Sequence, residues 1–272
     1  MPMQLAILVD NYAGRQDLKA EHGLSFWLET GKENILFDTG QAGAIMYNAP
    51  RMGIDLKKTD ILVLSHGHYD HTGMLGQVLI EAGNIPVWAH PQLDCSHRRH
   101  KNGTRYFIGC HINRESLDLR EVEGKTEITD NVWAISVPLE KRDPKFFTPP
   151  PHLQLPSKEG WITDTFDDDI SLVVEGEEGL SVILGCAHAG IVNILEEAAS
   201  LFGTRDFYSV TGGMHIGEKS RDYVSTIVDE LLTRFNVKKW IPCHCTGFPA
   251  AAELYSREQN VVFGRTGMSL SI

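Results

Sequence analysis

Three imidazoles and a carboxylate lie within six positions of one another in Ser65-His66-Gly67-His68-Tyr69-Asp70-His71. They follow the apolar run Ile61-Leu62-Val63-Leu64, which reads as a buried strand. Side chains two apart on an extended chain point the same way, so His66 and His68 can grip one cation. Asp70 and His71 can turn toward a second as the chain leaves the sheet. Imidazole nitrogen with carboxylate oxygen suits zinc, iron or manganese. One histidine in a polar loop would carry no such reading; four donors packed behind a strand do.

Other apolar runs also finish in candidate ligands. Ile35-Leu36-Phe37 ends at Asp38, Val182 to Ala187 at His188, Tyr208-Ser209-Val210 ahead of Gly212-Gly213-Met214-His215, and Trp240 to Cys243 at His244. If these strands share one edge of layered sheets, Asp38, His188, His215 and His244 project toward His66. The neighbouring glycines permit tight turns there. His188 and His244 are expected to ligate, with ordinary loop histidines as the alternative. Asp38 is expected to brace a ligating imidazole or, less directly supported, to bind the metal itself. Cys186 is either a small buried core residue or a thiolate ligand. Cys243-His244-Cys245 would suit a structural zinc knot, but no second cysteine pair stands at zinc-finger spacing.

The elements that must carry these groups read as follows. Strand-like runs recur at Leu5 to Val9, Leu24 to Leu28, Ile35 to Phe37, Ile61 to Leu64, Val87 to Ala89, Val132 to Val137, Leu172 to Val174, Val182 to Leu184, Tyr208 to Val210 and Trp240 to Ile241. Helical spacing appears at Thr72 to Glu81, Ile191 to Leu201 and Arg221 to Phe235, with Ser220 as a cap, Gly203 as a stop and a short helix from Pro249 to Leu254. Val261 to Phe263 and Met268 to Ile272 read as closing strands. Two long loops are expected, Asp94 to Arg114 and Arg142 to Gly160. Interleaved strands and helices indicate one layered α/β domain over residues 1–272, with insertions near 94–114 and 142–160.

At 272 residues and 42% hydrophobic content the chain can bury a sizeable core. A net charge of −11 argues against general affinity for nucleic acid or anionic membrane, leaving small molecules as the expected partners. The first ten residues lack a charged n-region and a long apolar h-region, and nowhere do about eighteen apolar residues run together. Five cysteines, Cys95, Cys110, Cys186, Cys243 and Cys245, are too few and odd in number for a disulfide framework. A reducing, cytoplasmic setting is expected.

Phe37-Asp38-Thr39-Gly40, His66-Gly67-His68-Tyr69-Asp70-His71 and Ile241-Pro242-Cys243-His244 resemble the successive motifs of the metallo-β-lactamase superfamily. The resemblance implies a four-layer αβ/βα sandwich with a dinuclear site. His66 and His68 would serve the first metal, and Asp70, His71 and His244 the second. One or two divalent ions are implied, zinc foremost, with manganese, iron or magnesium as alternatives. The superfamily usually supplies a bridging Asp in a Gly-Asp pair; here Gly185 precedes Cys186, and the upstream stretch from Asp164 to Ser171 holds carboxylates but no histidine. His188 is the natural substitute. Gly185-Cys186-Ala187-His188, Gly212-Gly213-Met214-His215 and Pro242-Cys243-His244-Cys245 are similar to a subgroup, the metal-dependent hydrolases of the β-lactamase superfamily II. Asp10-Asn11 and Glu21-His22-Gly23-Leu24-Ser25 resemble its early motifs, and Asn11 and His22 are expected to contact substrate.

Three functions follow as expectations. The first is a hydrolase that activates water on a small ester or phosphoester, Asp70 orienting the nucleophile and His215 protonating the leaving group. The second is a pterin-type transferase, as found in that subgroup, which forms a C–N bond and releases pyrophosphate. Arg98, Arg99, Lys101 and Arg105 on an otherwise acidic chain would then clamp phosphate. The third is a non-catalytic metal-binding sensor.

Overall fold

In the computed structural model, which describes residues 2–93, 96–111 and 114–272, the apolar runs pair into two large sheets. The first has seven strands in the order Ser269–Ser271, Gln4–Val9, Ser25–Glu29, Asn34–Phe37, Ile61–Val63, Pro86–Ala89 and Asp118–Glu121. The second has six, ordered Asn236–Pro242, Asp206–Gly212, Gly179–Leu184, Ile170–Gly176, Val132–Ser136 and Lys125–Thr129.

Strand alternation sorts the side chains into layers. Ile7, Phe26, Phe37 and Val63 of the first sheet meet Leu172, Val174, Ile183 and Ile241 of the second in one buried cluster, so the two sheets face each other. The opposite face of the first sheet, with Leu8, Trp27, Leu36 and Leu62, packs on Ile45, Ala49, Leu75 and Val78 from the helices Ala44–Arg51 and Leu75–Ala82. The opposite face of the second, with Val173, Val182, Val210 and Trp240, packs on Leu195, Val224, Leu231 and Leu254 from the helices Ile191–Phe202, Arg221–Arg234 and Gly247–Arg257. Helix, sheet, sheet and helix give the αβ/βα sandwich. Ser220 caps its helix by accepting from the Tyr223 amide at 3.3 Å, and Gly203 ends the preceding helix in the left-handed conformation.

Several elements differ from the sequence reading. The stretch expected as long loops holds two hairpins, Arg98–Lys101 with Thr104–Phe107 and Leu153–Ser157 with Gly160–Thr163, which join in a third, four-stranded sheet. Arg98–Lys101, Thr104–Phe107 and Gly160–Thr163 are mostly charged or exposed, so no apolar alternation betrays them. The same reason hides Asp118–Glu121 and Lys125–Thr129. The helix Ala44–Arg51 is short and carries Pro50 in its last turn. The expected helix from Thr72 begins at Leu75, after a single turn Tyr69–Thr72, and the closing strand at Val261 is reduced to one bridge with Trp240. Asp94, Cys95 and residues 112–113 of the first expected loop lie outside the described residues, as does Met1. Among the described residues Cys186, Cys243 and Cys245 are free thiols, and no helix is long and apolar enough to cross a membrane.

Candidate metal centre

The motif after Ile61–Val63 is built around a glycine that has no room for a side chain. A Cβ on Gly67 would lie 2.1 Å from the Leu93 carbonyl oxygen, and its amide donates to Asp168 Oδ2 at 2.7 Å. His66 and His68 flank this pinned peptide. The single helical turn Tyr69–Thr72 then swings Asp70 and His71 inward. His188 arrives from the loop after Gly179–Leu184, and His244 from the end of Asn236–Pro242. Ala187 and His244 hold positive φ of 56° and 49°, a costly conformation that the surrounding structure must enforce.

His66, His68 and His188 form the first group. Their ring centroids are 4.7, 4.7 and 4.9 Å apart, and one donor atom from each lies within 4.8 Å of the others. All three are buried, and the Nε2 atom of each has no hydrogen-bond partner. A buried polar atom left unpaired costs about 1–3 kcal/mol. Three such atoms converging on one point mark a cradle for a cation. Burial, with help from neighbouring imidazoles, lowers His66 and His188 well below the ordinary histidine range and His68 to about 3. The rings are therefore neutral, as metal ligation requires.

The second group gathers around Asp70. Its Oδ2 lies 3.4 Å from His22 Nε2, 3.4 Å from His244 Nε2 and 3.9 Å from His71 Nε2. Burial alone would raise the Asp70 carboxyl, but His71, His244 and His68 outweigh it and hold it well below the ordinary range. His71 and His66 rings stand 4.2 Å apart, so the two groups adjoin. Both histidines are braced from behind. Asp38 Oδ2 contacts His71 Nδ1 at 2.6 Å and accepts from Ser65 Oγ at 2.7 Å, while Ser65 Oγ meets His66 Nδ1 at 2.9 Å. Against the effect of burial, Asp38 and Asp70 raise His71 to about 9. Asp38 thus stands behind the ligand atoms rather than among them.

Asn11 and His22, expected to contact substrate, both lie against the Asp70 and His244 group. Asn11 Oδ1 meets His244 Nδ1 at 3.0 Å and accepts the Gly23 amide at 3.2 Å, so it orients His244. His22 is exposed but its Nε2 belongs to the Asp70 group, which adds an imidazole at the mouth of the site. The register of the hairpin places Arg98 and Arg105 on one face and Arg99 and Lys101 on the other. Arg98 lies over the Phe107 ring and donates to the His97 carbonyl, Arg105 donates to Gln154 and stacks on Trp161, and Arg99 and Lys101 are exposed. Burial and the Asp70 charge raise the Tyr69 phenol, with Arg99 opposing them. Cys186 Sγ lies 3.1 Å from His71 Nε2, and the His215 ring 4.2 Å from that of His188.

Sequence reasoning missed a buried support. His97 Nδ1 contacts Asp164 Oδ2 at 2.5 Å and its Nε2 contacts Asp168 Oδ2 at 3.2 Å, the same oxygen that holds the Gly67 amide. Despite burial, Asp168 and Asp164 raise His97 to about 10. Asp169 accepts the Ala189 amide at 3.0 Å and so fixes the His188 loop, its carboxyl pushed by burial to about 7 although the Ala189 and His188 amides oppose this. Only the run of carboxylates from Asp164 to Asp169 signalled this in the sequence.

The donor set fits one or two divalent cations: three neutral imidazoles with free Nε2 atoms, and beside them a carboxylate ringed by imidazoles. Comparison with known proteins agrees. Among solved structures, one described as a metal-dependent hydrolase of the β-lactamase superfamily superposes with a TM-score of 0.84 at 28% identity, covering 99% of both chains. A Methanocaldococcus jannaschii protein named 7,8-dihydropterin-6-methyl-4-(beta-D-ribofuranosyl)-aminobenzene-5'-phosphate synthase is 29% identical over 266 residues, 91% of this chain and 89% of its own. A second protein of that organism, described as uncharacterized, is 32% identical and covers 98% of this chain and 100% of its own. The model of the metallo-beta-lactamase superfamily matches residues 18–198, and with the sandwich and its histidine cradle in place the chain belongs to that superfamily.

Proposed function

We propose that the protein is a metal-dependent hydrolase of a small ester or phosphoester. The observation that carries this reading is the convergence of unpartnered, buried Nε2 atoms of His66, His68 and His188 beside the Asp70 carboxylate. His66, His68 and His188 would hold one cation; Asp70, His244, His71 and His22 would hold a second. Zinc suits the donors best, with manganese, iron or magnesium as alternatives. A bound cation supplies Lewis acidity, lowering the pKa of water toward about 7 and polarising the bond to be cleaved.

The remaining work falls to the chain. Asp70, held ionised by its imidazole neighbours, orients the attacking water. Asp38 and Asn11 fix the imidazoles of His71 and His244, so that their free nitrogens stay aimed at the site. Exposed His22 stands where substrate enters.

A second reading is supported by the 29% identity to the pterin synthase over 91% of this chain. In it the same donors would hold a cation able to stabilise a departing pyrophosphate, with an amine in place of water as the nucleophile. The two are separated by assaying metal-stripped protein, reloaded with zinc, manganese or magnesium, against esters, lactones, phosphodiesters and a dihydropterin pyrophosphate with an arylamine. Turnover of the simple esters or phosphodiesters supports the hydrolase. Amine-dependent pyrophosphate release without such turnover supports the transferase, and equal activity of stripped and reloaded protein removes both.

A further inference from the structure

Three parallel strands end side by side in the second sheet, with Leu184 opposite Gly212 and Gly212 opposite Pro242. The chain just beyond each end supplies one soft or borderline donor: Cys186, His215 and Cys245. Registry therefore forces them together, and their donor atoms lie within 4.8 Å of one another. Cys245 Sγ also donates to the Cys186 carbonyl oxygen at 3.6 Å. His215 Nδ1 is buried and without a hydrogen-bond partner.

The space for this approach is specific. A Cβ on Gly213 would sit 2.5 Å from Cys245 Sγ and 3.3 Å from the Cys186 Cα, so only glycine leaves room for the two cysteines to meet. Cys243, two residues before Cys245, instead packs in the apolar cluster between the sheets. The Cys-His-Cys run is thus split, one thiol to the core and the other to this cluster. Nor are Cys186 and Cys245 simple core fillers, because imidazoles surround them: His71 Nε2 is 3.1 Å from Cys186 Sγ, and His188 lies against His215.

We propose that Cys186, His215 and Cys245 form a further cation site, selective for a soft metal such as zinc. Two thiolates and an imidazole are a donor set that zinc accepts with one position left open. Two thiolates also neutralise a divalent charge, whereas the neutral His66, His68 and His188 cannot, so the thiolate group would discriminate against magnesium and manganese. This assignment replaces the proton-donor role expected for His215. It does not depend on the hydrolase reading, since thiolate ligation can be observed without turnover.

The test uses the full chain, stripped of metal, kept reduced and titrated with cobalt(II). Wild type is expected to develop a thiolate-to-cobalt charge-transfer band, which Cys245→Ser or Cys186→Ser removes while the visible bands of histidine-held cobalt persist; Cys243→Ser should leave both. A parallel measurement needs no change at the site: zinc should slow alkylation of Cys245 about tenfold or more, because a metal-bound thiolate is withdrawn from attack. That protection should survive His68→Ala. A saturated wild type without the charge-transfer band, a band unchanged in Cys245→Ser, or zinc-independent alkylation would overturn the proposal.

Discussion

Asp38 Oδ2 and His71 Nδ1 stand 2.6 Å apart with both side chains buried, which fixes the imidazole so that its Nε2 faces Asp70 and Cys186. The same carboxylate reaches His66 through Ser65 Oγ. One acidic residue at the end of Asn34–Phe37 therefore orients one imidazole of each cation group.

Asp38 has a positive φ of 64°, which asparagine tolerates better than alanine, so Asp38→Asn isolates the charge from the backbone effect. Metal affinity measured by competition with a chromophoric chelator should fall about 10–100-fold. Unchanged affinity would remove the bracing role.

Gly67→Ala forces a Cβ to within 2.1 Å of the Leu93 carbonyl. Overpacking of this kind costs about 1–3 kcal/mol. The urea midpoint should drop, and metal affinity should fall with it because the clash separates His66 from His68. Substitution at Gly76, where a Cβ meets nothing within 4 Å, is the control and should cost little.

The scaffold of the site could be read from the chain because its strands are apolar runs that stop at a ligand, as Ile61–Val63 stops before His66 and Gly179–Leu184 before His188. Asp38 was read as a brace for the same reason. His97 was not, since it precedes a hairpin of charged side chains and its partners Asp164 and Asp168 are far away in sequence. Asn11 and His22 read as neighbours of the site, but only the three-dimensional arrangement shows that Asn11 holds His244 and that His22 reaches Asp70. That the basic residues stand on a hairpin was not legible, because charge in a sequence says nothing about which face of a strand each cation takes.

His97 also predicts a pH dependence in the metal-free protein. Its pKa is raised from 6.5 to about 10, so the stability it contributes is full below about 6.5 and is lost as pH rises through about 10. The urea midpoint of wild type should therefore decline across that window. His97→Gln should be less stable at the acidic end and should show a flatter profile; a parallel decline in both proteins would contradict the linkage.

His22 contributes at the mouth and is half exposed, whereas His244 is buried. His22→Ala should thus weaken binding of the second cation while leaving the first in place, and His68→Ala should abolish the first. Metal content per chain after dialysis checks both, the expected order being wild type, then His22→Ala, then His68→Ala.

The most direct measurement is anomalous diffraction at the zinc edge from crystals grown with zinc. A peak bonded to the Nε2 atoms of His66, His68 and His188, with a neighbour against Asp70 and His244, is the predicted result. Density empty at both positions, with the three imidazoles turned onto protein partners, would contradict the metal centre and every function built on it.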